Sequence, residues 1–172
     1  LNFGVGGYSV GQAYLRYEKD VRRWNPQIVI LGFIAHDLVR TMTIYPFLAF
    51  PDWDIPFSKP RHILRDGDLT IVNVPPLAPE AMFSRGLISE LPYLAYDVGF
   101  KEDDWNKSLK RFSYLARLFV SKFPRWSTEN PDVKDEALVS VNASILKAFV
   151  RSVTETGAIP IVAYLPSGRE VK

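Results

Sequence analysis

Two short segments carry the groups through which this sequence could do chemistry: NFGVGGYSVG at residues 2–11 and GFIAHDLVR at residues 32–40. In the first, Gly4, Gly6 and Gly7 cluster just ahead of a helical pattern. Glycine accepts positive φ and lets backbone N–H groups approach a ligand oxygen, and a helix N-terminus favours negative charge. The second segment sets His36 and Asp37 at the end of an apolar run, where a neutral imidazole offers one N–H donor. Together these groups could steady negative charge developing on an oxygen. The simpler alternative is structural: the glycines serve a tight turn, and Asp37 caps a helical turn starting at Leu38. There are no Cys and only two His, His36 and His62. That excludes a thiolate metal site, a cysteine nucleophile and a redox pair, and leaves too few imidazoles for a histidine-rich zinc centre. No metal or cofactor is expected.

The elements that must position these segments follow from periodicity. Leu1–Val5 reads as a short strand entering the glycine turn, and Val10, Tyr14, Tyr17, Val21 and Trp24 then recur at helical spacing until Asn25-Pro26 stops them. Gln27–Ile34 is a continuous apolar run rich in β-branched residues, the pattern of a parallel strand covered on both faces. Strand, glycine turn, helix and strand make a βαβ unit. Residues 41–79 lose all periodicity and hold seven of the thirteen prolines, which suits a lid or binding insertion. Within it, Asp66-Gly67 lies between two β-prone runs and predicts a two-residue hairpin, because a type I′ turn needs positive φ at both central residues. The lid aromatics Tyr45, Phe47, Phe50, Trp53 and Phe57 would either shape a pocket or form a satellite cluster beneath the loop.

A helix is expected over Ala78–Leu91, and another begins at Asp103 or Asp104 with a stripe from Leu109 to Phe123. A third carries Leu138, Val141, Ile145, Phe149 and Val153 on one face and ends at Gly157. Ile159–Leu165 is a second buried strand. The alternation predicts one α/β domain over 1–172, a three-layer α/β/α arrangement on a parallel, doubly wound sheet, with the insertion 41–79 inside it. The 47% hydrophobic content and 13% aromatics exclude a disordered chain. A net charge of +2 from interspersed residues is no nucleic-acid footprint, and no apolar run approaches the ~20 residues of a membrane span.

These blocks, with the later strand GAIPIVAYLP, resemble the SGNH/GDSL hydrolase family over most of the chain, from Leu1 to Pro166. In that family an Asn-x-Gly-x-x-Gly block gives a backbone N–H from its last glycine, and a Gly-x-Asn-Asp block gives an Asn side chain. With the amide of the nucleophilic Ser they form an oxyanion hole. Asn2-Phe3-Gly4-Val5-Gly6-Gly7 matches the first block and assigns the oxyanion glycine to Gly7. In the second, Ile34-Ala35-His36-Asp37 puts His36 where the family has Asn. The resemblance implies a flavodoxin-like sheet and acyl-ester hydrolysis without metal or cofactor.

The family's Gly-Asp-Ser and Asp-x-x-His blocks do not occur in the sequence. By the family's order they would precede Leu1 and follow Pro166, so the expectation is that the 172 residues are the middle of a longer domain. A long proline-rich lid looks like the branch found beside bacterial surface-polysaccharide genes, which implies a carbohydrate O-acyl ester as substrate. It leaves both the bacterial cytoplasm and an envelope-facing compartment open. Gly7-Tyr8-Ser9-Val10-Gly11 also fits the G-x-S-x-G pattern of a nucleophile elbow, an alternative that makes Ser9 the nucleophile of an α/β-hydrolase but lacks well-placed Asp and His partners. A third alternative is a non-catalytic relative that binds glycan or protein.

Overall fold

The computed structural model describes residues 1–50, 56–85, 88–101, 115 and 136–167. Helix α1 (Val10–Arg16) continues through a π-type turn at Tyr17–Val21 and a 3-10 turn at Arg22–Trp24, and stops where Asn25 adopts φ 46° ahead of Pro26. Strand β1 (Ile28–Phe33) leads into α2 (Ala35–Thr41) and the short α3 (Pro46–Ala49). The hairpin β2 (Arg61–Arg65) and β3 (Asp68–Val72) comes next, then α4 (Pro79–Phe83) and 3-10 turns at Ile88–Glu90 and Leu94–Tyr96. After these come α5 (Glu136–Glu155) and β4 (Ile159–Tyr164).

The architecture is mixed helix and strand, with a small parallel sheet and a separate antiparallel hairpin. β1 and β4 pair in parallel from Ile28↔Ile159 to Phe33↔Tyr164. α5 covers one face of this sheet with the stripe its periodicity predicts. Leu138, Val141, Ile145, Phe149 and Val153 are buried there against Val10, Tyr17, Val29, Leu31 and Val39. Phe149 meets the Tyr17 ring edge-on at 5.6 Å between centroids. By length and composition alone α5 could cross a bilayer. Its apolar stripe is instead spent on this core. Gly157 (φ 79°) ends the element, its N–H bonding the Thr154 carbonyl.

A second core belongs to the insertion. Ile44, Tyr45, Leu48, Ile63 and Val72 pack with Met82, Leu91 and Leu94, so the folded unit draws on residues beyond 79. Tyr45 is fully buried with Phe47 tilted against it at 6.0 Å, which makes these two aromatics cluster residues. Phe50 packs on the main core instead, and Trp53 lies outside the described residues. The hairpin turn has φ 53° at Asp66 and 88° at Gly67, as the Asp-Gly pair predicts.

Four expectations need correction, and the first is the buried strand at Ile159–Leu165: Ile159, Ile161, Val162, Tyr164 and Leu165 are all exposed, with β1 the only strand beside β4 among the described residues. Leu1–Val5 is not a strand: its nearby backbone bonds are local, Gly4 N–H to Asn2 Oδ1 (2.8 Å) and Tyr8 N–H to the Val5 carbonyl (3.3 Å). A strand exists only through a neighbour's ladder, and no described strand lies beside it. The β1 run is covered on one face, not two, with Ile28 and Ile30 52% and 66% exposed on the other. Ala78–Leu91 folds as one short helix and one 3-10 turn, with Arg85 already outside helix. The helix expected from Asp103 to Phe123 lies outside the described residues apart from Leu115.

The hairpin is fastened to α1 at a tight contact, where a Cβ added to Gly11 would lie 2.8 Å from Nδ1 of the buried His62 ring. Gly11→Ala should therefore destabilise the fold by ~1–3 kcal/mol through overpacking, despite the better helix propensity of alanine. Urea unfolding measures this; an unchanged or raised midpoint would show that the His62 ring yields freely.

Candidate active site

The glycine segment and β1 face each other across a groove of about 760 Å³. Leu1–Val10 forms one wall and Ile28–Ile34 the other, while Ala13, Tyr17 and Phe149 contribute apolar surface from α1, the turn after it and α5. Arg16, Asp37 and Arg40 are its charged side chains. One edge of β1 is taken by β4, and β1 has no other partner strand among the described residues.

Gly7 lines this groove with φ 80°, a conformation that costs a residue with Cβ strain and that the turn into α1 requires. Ser9 follows as the N-cap of α1. Its Oγ accepts the Gln12 N–H and its own N–H donates to Gln12 Oε1, both at 3.2 Å, a reciprocal capping box. Ser9 is only 3% exposed. A hydroxyl so committed and so buried is a cap. No hydrogen bond links it to either histidine among the described residues.

His36 stands on the first turn of α2, exposed and outside the groove lining, although its neighbours Ile34 and Asp37 both belong to it. The helix begins at Ala35, earlier than the expected start at Leu38. Asp37 thus closes the first turn from within, accepting the Ile34 N–H at 3.0 Å and pairing with Arg40 at 2.7 Å. An acidic residue here suits the positive end of the helix. The structure therefore brings Gly7 and Asp37 to one groove, and leaves His36 at its margin.

A second polar cluster, not singled out by any motif, holds the opposite end of α2. Asp97 accepts the N–H groups of Ile44 (2.6 Å), Tyr45 (2.7 Å) and Gly99 (2.8 Å). Burial pushes its carboxyl up, against the pull of those amides and of Arg61. Arg61 donates to the Met42 carbonyl at 2.7 Å, and burial lowers its guanidinium to about 10. His62, 2% exposed and stacked 5.9 Å from Tyr14, has no hydrogen bond to Nδ1 among the described residues and is lowered to about 4 by burial and by nearby Lys59. Such an imidazole stays neutral at physiological pH and is a poor general base. The sequence signal for this cluster is slight: isolated charges in segments without periodicity.

Comparison with protein-family models, curated proteins and solved structures finds no match to this chain.

If Ser9 is a cap, Ser9→Ala should cost ~0.5–2 kcal/mol of stability, with Ser9→Asp recovering most of it. Thermal or urea unfolding of the two variants decides; an Ala variant as stable as the parent would free the hydroxyl for another role.

Proposed function

We propose that this chain is the central part of an SGNH-type serine ester hydrolase, folded on a flavodoxin-like parallel sheet between two helical layers, and acting on acyl esters of carbohydrates. The supporting observation is the groove. The groove, about 760 Å³, is lined by the glycine segment and by β1, which has no partner strand besides β4 among the described residues. An added strand would lie between the glycine segment and the free edge of β1. It would end near the Gly7 turn and the start of α2, where ligands collect in parallel sheets.

On this reading the added strand brings the nucleophilic serine. A histidine outside the 172 residues takes the serine proton as Oγ attacks the ester carbonyl, and returns it to the leaving alcohol. The Gly7 N–H and the His36 imidazole hold the oxyanion. The acyl-serine formed is then cleaved by water, with the same histidine as base. A second reading, a non-catalytic relative that binds glycan or a protein partner, is favoured by one observation: His36 lies outside the groove lining.

The 172-residue chain alone should leave an aryl acetate intact. A chain with a Gly-Asp-Ser strand before residue 1 and an Asp-x-x-His block after residue 172 should hydrolyse it. Activity of the short chain that Ser9→Ala abolishes would overturn the proposal. In the extended enzyme His36→Ala should lower kcat about 10²-fold or more; an unchanged kcat would remove His36 from the oxyanion hole.

A further inference from the structure

The junction between α2 and the insertion contains a lysine placed where a charge is costly. Lys59, just ahead of β2, is 4% exposed. Its main chain is fixed on both sides: its N–H donates to the Ile44 carbonyl at 2.9 Å, and its carbonyl accepts Asn73 Nδ2 at 3.0 Å. Its Nζ donates to the Arg40 carbonyl at 2.5 Å, near the C-terminal end of α2. Among the described residues Lys59 enters no ion pair. Asp97 is the attracting group, but its oxygens are already occupied by the amides of Ile44, Tyr45 and Gly99. Arg61 on β2 and Arg40 on α2 both repel a charge at Nζ, and the neighbouring His62 is neutral.

We propose that Lys59 is a proton-operated latch: as a neutral amine it holds the hairpin-bearing insertion onto the C-terminal end of α2, and on taking up a proton it lets that junction open. A buried ammonium with one hydrogen bond and two guanidinium neighbours is far less stable than the same group in water, so the open form takes the proton. Burial lowers Lys59 to about 7 in the closed form, against the ordinary 10.5 when exposed, so proton uptake favours the open form across the interval between those two values. The latch does not depend on the ester-hydrolase reading. Its consequence for activity does, because α2 carries Asp37 and His36 at its other end.

The sign follows from linkage. Between pH 10.5 and 7 the open form binds one more proton than the closed form, so the opening constant should rise tenfold for each unit fall in pH and level off below 7. Amide hydrogen exchange at Lys59, Ile44 and Tyr45 in the intact protein, corrected for intrinsic rates over pH 6–9.5, reads this directly. The expected result is a slope of one above pH 7 in the parent and no slope in Lys59→Met. A flat parent profile, or a slope that survives in Lys59→Met, overturns the latch. Should Lys59→Met fail to fold, the ¹³Cε resonance of Lys59 in the parent decides. A midpoint near 7 supports the proposal; one near 10.5 refutes it. Neither readout requires ester hydrolysis.

Discussion

The buried carboxylate of Asp97 is the constraint around which the middle of this molecule is arranged. An unpaired charge in an apolar interior is costly, and three backbone amides within 2.6–2.8 Å meet that cost here. Two of those amides, Ile44 and Tyr45, lie between α2 and α3, so satisfying the carboxylate also fixes the path by which the chain leaves the main core. Arg61 and Lys59 then donate to the carbonyls of Met42 and Arg40 at the end of α2, beside the Val98 N–H on the first and the Thr43 N–H and hydroxyl on the second. One acid and two bases from distant parts of the sequence thereby pin six consecutive residues.

That pinning explains how two cores coexist in a small protein. The main core is built by α5 against α1, α2 and β1, and the insertion core by Tyr45, Ile63, Val72 and the turns near Leu91 and Leu94. α2 is held by both. Asn142 on α5 donates to the Leu38 carbonyl at 3.1 Å, while Lys59 and Arg61 hold the Arg40 and Met42 carbonyls at its other end. The seven residues of α2 are too few to be stable as an isolated helix, so its placement is tertiary in origin.

What the sequence made legible were features whose physics is local. The Asp66-Gly67 turn was readable because two positive φ values demand such residues, the α5 stripe because burial repeats every three or four positions, and Gly157 because a helix end needs a left-handed residue. Leu1–Val5 failed as a strand because strands are defined by partners, and β1 gained cover on one face only because pattern cannot count layers. Gly7 was legible as a turn glycine and does line the groove, whereas the position of His36 at its margin depends on where α2 begins. The cluster of Lys59, Arg61 and Asp97 left no pattern at all. Each is an isolated titratable residue whose importance arises from burial, and burial is set by the whole fold.

The unpaired side of β1 also bears on how this molecule meets others. Sheets normally guard an open edge, because bare N–H and C=O groups invite a second sheet and then a third. Here residues 1–10 line the same groove as residues 28–34 of β1 and the turn after it. A loop of the chain's own residues lying beside a strand is one of the ways an open edge is kept from pairing with another sheet.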